Sequence, residues 1–482
     1  MSDAPAPAQA ASFRAGTLAY TKYGLFTLFA WLLWGDFCFS LFEAVPGVFP
    51  TYLLKYLGFS NNAATIMTGT IPQILGLFVG PAVSFRSDRT RSRFGRRIPY
   101  ITYTAPLLCL FVVAQGFSGE IAAFLKSSNF LASIGISAET ATLIVIGFLT
   151  VGFTFFNEFV GSVYFYLFND VVPPNLMGRF QALFRMVGTG AGMAYKAFVF
   201  QYSLDYMPWV FLGAAILYMI GMTLMCRGVK EGQYPPVTDM SKRTSLLTQV
   251  KTYFRECFTH PIYIFTFVSS GFMALAGAAS IGMLLFNTNL PGVGMAEIGY
   301  IGALVNAAGI VVSYPCGWLV DKYHPLRMTL VMMALLPFIK IACFLFLTGY
   351  WSYVFIQGTN LLVWSIIGAA SFPLYMMIFP REKFGQFCAA RGQVWALFAF
   401  LGTLVGGRFA DWVIGTGQFD AAGKEIVIID NYRYTFLWEA VFFVLAWVCL
   451  YIVYRYWKQL GADKGYKAPT MDLADEAPAQ GH

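Results

Sequence analysis

Ionisable side chains inside long apolar stretches are the residues of this sequence best suited to chemistry. Asp36, Glu158 and Arg185 each lie well inside a stretch of predominantly apolar residues. A charge at the centre of a bilayer costs about 3 kcal/mol or more unless it is paired or hydrated. A cation beside an acid favours the ionised form, and a dry environment favours the neutral form. The three residues therefore predict a proton-binding site within a membrane.

The roles within that site follow from depth along the chain. We predict that Glu158 carries the proton with Arg185 as its partner, and that Asp36 is the second candidate. A static buried ion pair that only stabilises the fold is the alternative. Glu43 is a further acid in an apolar stretch, without an assigned role. Snorkelling or packing explains the ionisable residues that lie nearer to helix ends or on less central helices, which are Lys196, Lys340, Arg408, Asp411 and Glu439.

Amides and aromatic rings in apolar stretches form a second set, suited to a hydroxylated ligand. Aromatic faces pack against the apolar side of a sugar ring, and amides hydrogen-bond to hydroxyl groups. An amide within an apolar helix needs a partner, whereas packing or lipid contact explains most aromatic residues in a chain that is 18% aromatic. The candidate ligand-binding residues are Trp31, Trp34, Asn157, Tyr164, Asn287, Asn360, Trp364, Gln393 and Trp395.

The elements that position these residues are predicted membrane helices. The chain has 482 residues, of which 58% are hydrophobic and 12% charged, and so few polar residues would not cover soluble domains of this length. Apolar windows long enough to cross a bilayer recur along almost the whole chain. We predict an all-α membrane protein with twelve transmembrane helices, near 24–50, 62–85, 98–117, 141–168, 177–202, 207–226, 262–288, 296–319, 328–348, 352–379, 389–413 and 434–456.

Repeated motifs divide these helices into two halves. One motif occurs at the junction of the fourth and fifth helices and again at that of the tenth and eleventh, as Pro173-x-x-x-x-Gly178-x-Phe180-x-Ala182 and Pro380-x-x-x-x-Gly385-x-Phe387-x-Ala389. A weaker pair occupies 84–89 and 317–322. We predict two pseudo-symmetric six-helix bundles. The predicted boundaries are a disordered cytoplasmic tail at 1–23, bundles at 24–226 and 262–456, a cytoplasmic linker with an amphipathic helix at 227–261, and a second cytoplasmic tail at 457–482.

Basic residues fall mainly on one side of the predicted helices. The chain has 32 Lys and Arg residues, and the predicted outer segments contain Lys55, Lys126, Lys424 and Arg433. Because cytoplasmic loops are enriched in Lys and Arg, we expect both termini in the cytoplasm, with the protein in the bacterial inner membrane. This topology explains the net charge of +8 without a nucleic-acid partner. The eight cysteines lie singly, so no metal or other cofactor is expected.

A dense basic motif follows the second helix. It reads Ser87-Asp88-Arg89-Thr90-Arg91-Ser92-Arg93-Phe94-Gly95-Arg96-Arg97-Ile98-Pro99-Tyr100. Together with Asp170-Val171-Val172-Pro173 and the two halves, it resembles the sucrose/proton symporter-like and glycoside–pentoside–hexuronide/cation symporter branches of the major facilitator superfamily. The resemblance covers residues 24 to 456. It implies a fold in which helices one, four and five line a central cavity.

The basic motif also predicts a gate. An acid just past the end of an apolar helix can accept hydrogen bonds from the N-terminus of a neighbouring helix, while arginines face anionic lipid headgroups. Retention of positive charge on the inner side is the alternative for each arginine, and a static cap is the alternative for Asp88. The predicted gate residues are Asp88, Arg89, Arg93, Gly95, Arg96, Asp170, Arg179 and Asp321.

The resemblance implies a monomeric secondary active transporter that imports a glycoside or small sugar by proton symport, in contact with membrane lipids. Asn61 to Phe85 contains no acid, which argues against the sodium site of melibiose-type relatives, and Thr154 and Phe165 replace the charged pair of plant sucrose symporters. A proton-coupled exporter of drugs or metabolites is the main alternative, although the fifth helix lacks the proline kink usual in such exporters. A non-transporting sensor is a third. The sequence shows neither a nucleophile motif nor a phosphate-binding loop, so it does not predict an enzyme.

Overall fold

The computed structural model describes residues 13–90, 92, 94–127, 137–232, 253–258, 260–419, 425–427, 429–462 and 465–469. Long helices account for most of them. We number the twelve principal helices in chain order: α1 (Lys22–Ala44), α2 (Ile71–Arg89), α3 (Ile98–Gly116), α4 (Ala138–Val171), α5 (Met177–Ala194), α6 (Met207–Gly228), α7 (Pro261–Ala276), α8 (Met295–Tyr323), α9 (Pro325–Phe346), α10 (Tyr350–Ile378), α11 (Phe384–Ile414) and α12 (Tyr434–Gln459).

Eleven helical segments of the described residues are long and apolar enough to cross a bilayer. The exception is α5, which continues without interruption into a π-helical turn (Tyr195–Val199). Together they carry Arg179, Arg185 and Lys196, and these charges lower the hydropathy of the segment. The predicted all-α membrane protein with twelve helices is thus confirmed, and α5 is the one principal helix that is not among the eleven apolar segments of the described residues.

Contacts within the chain divide it into two compact units. Unit one comprises Met1–Thr238 and Asn287–Ile310, and unit two comprises Asp239–Phe286 and Val311–His482. Residues 287–310, which include more than half of α8, group with unit one, whereas the sequence assigns them to the second predicted bundle. There α8 lies against the end of the fifth helix, because a Cβ atom at Gly299 would lie only 2.6 Å from the backbone oxygen of Lys196.

Four pairs of packed helices in unit one recur in unit two. In unit one, α1 packs against α5 and α6, and α3 packs against α4 and α6. In unit two, α7 packs against α11 and α12, and α9 packs against α10 and α12. Every one of these pairs is related to its counterpart by a shift of six helices. The repeat of sequence motifs therefore corresponds to a repeat of packing, as the two pseudo-symmetric halves predict.

The ends of the chain are more structured than predicted. Residues 13–20, expected in a disordered tail, contain a hairpin of β1 (Phe13–Ala15) and β2 (Leu18–Tyr20). The Tyr20 hydroxyl donates to the Val171 carbonyl oxygen at 3.1 Å, which fixes the hairpin to the end of α4. At the other end, α12 extends to Gln459, and the Tyr466 hydroxyl donates to the Ile378 oxygen at 2.9 Å.

The two long connections are described in part. The connection between α11 and α12 contains a hairpin of β3 (Gly415–Phe419) and β4 (Glu425–Val427), which pair antiparallel. In the linker, residues 253–257 are helical and end four residues before α7. The rest of the predicted amphipathic segment lies in 233–252, outside the described residues.

Candidate functional site

One face of α1 carries acidic and hydroxyl side chains into the interior of unit one. Asp36 is 1% exposed, and its Oδ1 accepts a hydrogen bond of 3.3 Å from the Ser40 hydroxyl. The other oxygen, Oδ2, has no hydrogen-bond partner among the described residues. Gly188 of α5 lies beside both groups, because a Cβ atom there would be 3.1 Å from Ser40 Oγ and 3.6 Å from Asp36 Oδ2. Asp36 is therefore enclosed between α1 and α5.

Two turns further along the same face, Glu43 connects α1 to α4. Its Oε1 accepts a hydrogen bond of 3.2 Å from the side-chain amide of Asn157. The neighbouring residue, Glu158, lies against α2, where a Cβ atom at Gly76 would be 3.8 Å from its carboxyl carbon. Glu43 lies on the same face of α1 as Asp36, and its hydrogen-bond partner Asn157 is the residue next to Glu158. The three carboxyl groups thus form one cluster, which we call the carboxyl cluster.

The predicted ion pair between Glu158 and Arg185 is not formed. In the described part of the chain, none of the three acids of the carboxyl cluster makes an ion pair. Arg185 is exposed on α5, and its backbone oxygen accepts a hydrogen bond of 2.8 Å from the Thr189 hydroxyl. The two side chains lie against different neighbours. Glu158 lies against α2, whereas Arg185 lies on α5, which packs against α1.

Three of the predicted ligand-binding amides have a buried oxygen that lacks a hydrogen-bond partner among the described residues. They are Asn157 and Asn287 in unit one and Asn360 in unit two. Buried amide oxygens are rarely left without a donor, so each of these atoms calls for a water molecule or a ligand hydroxyl group. At Asn157 the amide nitrogen is already used by Glu43, which leaves the oxygen as its free acceptor.

The predicted aromatic ligand-binding residues of unit one pack between helices. Trp31 and Trp34 lie against α6, because a Cβ atom at Gly228 would overlap the Trp31 ring and one at Gly221 would lie 3.7 Å from Trp34 Nε1. Tyr164 is fully buried, and its hydroxyl donates to the Leu32 carbonyl oxygen at 2.8 Å. These three rings are therefore positioned for packing of α1 against α4 and α6, and the Tyr164 hydroxyl lies beside Gly35, the residue before Asp36.

The predicted ligand residues of unit two lie on α10 and α11. Trp364 is 41% exposed and packs edge-on against Phe443 of α12, with ring centroids 6.2 Å apart. Trp395 is 39% exposed. Gln393 accepts a hydrogen bond of 3.1 Å from the Tyr253 hydroxyl of the linker helix at 253–257, so its side-chain oxygen already has a partner.

An ion-pair network joins the basic motif to the end of α4. Arg96 donates to both oxygens of Asp170, through Nε at 2.8 Å and through Nη2. Arg97 donates to the same carboxylate from Nε at 3.1 Å and to the Ser87 hydroxyl from Nη1. Its guanidinium also lies 5.1 Å from the centre of the Tyr166 ring. Two predicted gate residues, Arg96 and Asp170, are thus in direct contact.

A residue that sequence reasoning did not select completes this network. Glu231, which follows α6, accepts hydrogen bonds from the backbone N–H groups of Arg96, Arg97 and Ile98 at 2.8, 2.8 and 2.7 Å. These are the unpaired donors at the N-terminus of α3, where a negative charge is stabilising. Gly95 permits this approach, because its φ is +105° and a Cβ atom there would overlap the Glu231 side chain.

The remaining predicted gate residues are either exposed or outside the described part of the chain. The side chains of Asp88 and Arg89, at the end of α2, lie outside the described part, as does Arg93. Arg179 is exposed near the start of α5. Asp321 is exposed near the end of α8, next to Lys322, whose ammonium lies 4.8 Å from the centre of the Trp318 ring. At the N-terminus of α3 the acidic acceptor is Glu231, whereas the sequence suggested Asp88 for such a role.

Comparison with known proteins places this geometry in a fold. No protein-family model matches the chain. A segment of 106 residues is 35% identical to the sucrose transport protein SUT1 of Oryza sativa subsp. japonica, and the match spans 22% of this chain but only 20% of the rice protein. Among solved structures, a bacterial homologue of the human lysosomal transporter Spinster, inward-facing and occupied, superposes with a TM-score of 0.64 at 16% identity, over 91% of this chain and 98% of that one. A D-xylose-proton symporter gives a TM-score of 0.58 at 14% identity, over 88% and 97%.

Likeness to these transporters over nearly their whole length, together with twelve helices in two matching halves, decides the fold. The chain has the major facilitator fold. The carboxyl cluster and Arg185 lie on the first, fourth and fifth helices. The chain is an integral membrane protein.

Proposed function

We propose that this chain is a secondary active transporter that imports a glycoside or another small sugar together with protons. The observation that carries the proposal is the carboxyl cluster of Asp36, Glu43 and Glu158 within the membrane helices of unit one. A charge in a membrane is costly, and acids there mark ion and proton pathways. Neighbouring acids that interact take up and release protons as a set, which suits a coupling site.

The hydrogen bond between Glu43 and Asn157 offers a way to couple proton and ligand. An ionised Glu43 accepts from the Asn157 amide, which orients the free amide oxygen to accept from a ligand hydroxyl group. A protonated Glu43 is a weaker acceptor for that amide and offers a donor of its own. The protonation state of the cluster would therefore be felt at the ligand through a single side chain.

Two further features favour a sugar as the ligand. The buried oxygens of Asn157, Asn287 and Asn360 are each an acceptor for a hydroxyl group, the group in which sugars are rich. The partial match is to a sucrose transport protein, and a D-xylose-proton symporter has the same fold. The exposed Trp364 and Trp395 remain candidates for stacking on the apolar face of a sugar ring.

We also propose that the network at the basic motif is a gate on the cytoplasmic side. Arg96 and Asp170 join the start of α3 to the end of α4, and Glu231 joins the same place to the end of α6. Ion pairs between helix ends can open and re-form when helices shift. The predicted roles of Asp88, Arg89, Arg93, Gly95, Arg179 and Asp321 belong to the same proposal, as do the cytoplasmic termini and the bacterial inner membrane.

The test is uptake by the purified full-length chain reconstituted in lipid vesicles. Labelled glycosides and monosaccharides are offered with and without an inward proton gradient. Accumulation above the external concentration that collapses on addition of a protonophore supports symport. Ligand loss driven by an inward gradient would favour the antiporter alternative. Absence of both, with binding retained, would favour the sensor.

A further inference from the structure

A cavity of about 250 Å³ lies between α3 and α6 in unit one. Apolar side chains from both helices form most of its wall, among them Ile98, Ile101 and Met222. It is open at the surface, since Tyr103 is 75% exposed and Thr223 is also exposed. Ile98 and Ala105 mark its extent along α3, which corresponds to about 10 Å of helix. The cavity is thus a crevice in the surface of two membrane helices.

One end of the crevice is basic. Arg227 lines it and is exposed at the end of α6, and Lys230 is exposed three residues later. In the described part of the chain neither side chain has an ion-pair partner. The nearby Glu231 carboxylate accepts three hydrogen bonds from the backbone of α3 and is therefore already engaged. The positive charge at this end is available to a ligand.

We propose that the crevice binds one acyl chain of an anionic phospholipid, with the lipid phosphate held by Arg227 and Lys230. An apolar crevice that faces the bilayer is filled by hydrocarbon, because water there would lack hydrogen-bond partners. The basic end selects among lipids by charge complementarity, since each basic residue near an anionic surface strengthens binding about fivefold. The inner leaflet follows from the proposed orientation; the crevice itself does not depend on it.

Native mass spectrometry of the delipidated full-length chain in detergent tests this proposal. Phosphatidylglycerol and phosphatidylcholine are titrated separately, and bound lipids are counted. We expect one phosphatidylglycerol to bind more tightly than phosphatidylcholine. Thr223→Trp, which fills the crevice from an exposed position, should weaken that binding about tenfold or more, and Arg227→Gln should weaken it about fivefold for phosphatidylglycerol only.

Two matched variants serve as controls. Leu224→Trp adds the same ring at the next residue of α6, which does not line the crevice, and Arg455→Gln removes an exposed arginine near the end of α12. Both should bind lipid as the parent does. An equal loss in Thr223→Trp and Leu224→Trp would overturn the proposal, as would equal affinity of the parent for the two lipids.

Two other occupants would be recognised by the same assay. Inorganic phosphate that displaces phosphatidylglycerol while Thr223→Trp has no effect would mean a simple anion site at Arg227. Stronger lipid binding after Leu246→Ser and Leu247→Ser would mean that the linker of this chain is the natural occupant, and the proposal would be wrong. Unchanged melting temperatures of the variants show that they fold. Lipid counting does not use transport, so failure here leaves the proposed function untouched.

Discussion

Asp36, Ser40 and Glu43 recur every three or four residues along α1, so their side chains share one face of the helix. That face is turned to α4 and α5, while the face with Trp31 and Trp34 is turned to α6. A polar stripe within a membrane helix needs partners, and here they are Asn157 and the carboxyl groups themselves. The residues that belong together in function are therefore those that share a helical face.

The carboxyl cluster leads to the first prediction. Glu43→Gln and Glu158→Gln each keep side-chain shape and hydrogen bonding but remove an ionisable group. If the cluster couples transport to protons, each variant should lose uphill accumulation by at least about tenfold. Exchange of labelled for unlabelled ligand across the membrane should continue near the parent rate. Both quantities are measured in reconstituted vesicles.

Glu139→Gln is the matched control, because Glu139 is exposed in the first turn of α4 and lies outside the cluster. It should accumulate ligand normally. Normal accumulation by Glu43→Gln with loss in Glu158→Gln would assign coupling to Glu158 alone. Normal accumulation by both would remove them from the mechanism and leave Asp36 as the leading candidate.

Glu256 supplies a prediction about pH. Its two oxygens accept from Lys383 at 2.7 Å and from Gln386 at 2.8 Å, and the hydrogen bond from Lys383 is the main cause that lowers the pKa of Glu256 from its ordinary 4.5. A lowered pKa contributes stability above the ordinary value, and that stability is lost as pH falls through the lowered one. Because the Lys383 side chain is 39% exposed, the contribution is at most about 1 kcal/mol.

We therefore expect Glu256→Gln to melt at a slightly lower temperature than the parent at pH 7. The difference should shrink as pH falls below 4.5 and disappear below the lowered pKa, where the carboxyl of the folded parent is also neutral. Glu120→Gln, at an exposed acid of another segment, should show no difference at either pH. A gap between Glu256→Gln and the parent that widens in acid would contradict the assignment.

Residue type and depth identify part of this site from sequence. Asp36, Glu158 and Asn157 stand out because each is polar in an apolar stretch, and they prove to be members or neighbours of the carboxyl cluster. Trp31 and Trp34 were selected by residue type without regard to helical face, and they lie on the face turned to α6. The spacing of Asp36, Ser40 and Glu43 was the available signal for the correct face.

At the scale of elements, the start of α3 is held by side chains from distant parts of the chain. Three of its backbone N–H groups donate to Glu231, and the adjoining arginines donate to Asp170. We predict that Glu231→Ala lowers the free energy of unfolding by about 1 kcal/mol or more, the usual effect of removing a helix cap. Amide hydrogen exchange in the peptide spanning 94–103 should accelerate, which mass spectrometry measures directly.

Lys230→Ala is the control for this prediction, because Lys230 is the adjacent exposed residue and makes no hydrogen bond among those of the described part. Exchange in the same peptide should stay at the parent rate. Glu231→Gln retains one acceptor oxygen and should lie between the parent and Glu231→Ala. Unchanged exchange in Glu231→Ala would mean that solvent replaces the carboxylate without cost.

The role of Glu231 was beyond sequence reasoning for a physical reason. It lies more than a hundred residues from the N-terminus of α3, and only the packing of α6 against α3 brings them together. The basic motif was recognisable because its residues are consecutive. The available signal was Glu231 itself, an acid that follows the basic residues Arg227 and Lys230 at the end of α6.

A second interaction between elements joins α9 and α12 in unit two. Lys340 Nζ and Glu439 Oε2 are 2.5 Å apart, and the side chains are 14% and 10% exposed. We expected these two residues to snorkel or to pack, and the structure shows that they form an ion pair. Removing one partner of a buried pair strands the other charge and costs about 3–5 kcal/mol, whereas replacing both by apolar residues is often neutral.

Lys340→Met should therefore melt well below the parent, and Lys340→Met combined with Glu439→Leu should recover most of the loss. Melting temperature in detergent is the measurement. Arg408→Met, on α11, is a control for loss of a membrane-helix cation, since Arg408 has no ion pair within the described ranges. A double variant no more stable than Lys340→Met would show that the pair does more than neutralise charge.

For the whole molecule, the distribution of basic residues predicts the orientation in the membrane. We expect both termini in the cytoplasm and the segments 118–139 and 415–433 outside. In a background without native cysteines, Lys424→Cys should react with an impermeant thiol reagent in intact cells, and Lys242→Cys should react only after lysis. The reverse pattern would invert the topology, and with it the assignment of the gate to the cytoplasmic side.

The fold as a whole was predictable because its signals are long and repeated. Apolar windows identify helices one at a time, and the repeated junction motifs indicate two halves, which the matching packing pairs bear out. The grouping of the beginning of α8 with unit one depends on the close contact of Gly299 with the end of the fifth helix. Such a contact between small residues and a backbone leaves little trace in hydropathy.

The low hydropathy of α5 has a consequence for how the chain is made. A nascent segment enters the bilayer from the translocon by partitioning, and an arginine near the middle of a helix opposes this by about 2.5–3.5 kcal/mol. With Arg179, Arg185 and Lys196, the fifth helix is expected to partition poorly from the translocon without a partner. We expect α1, already synthesised and packed against it in the finished fold, to serve as its partner during insertion. Residues on the face that α1 offers to α5, such as Ser40 beside Gly188, are therefore needed while the ribosome is still translating the second half of the protein.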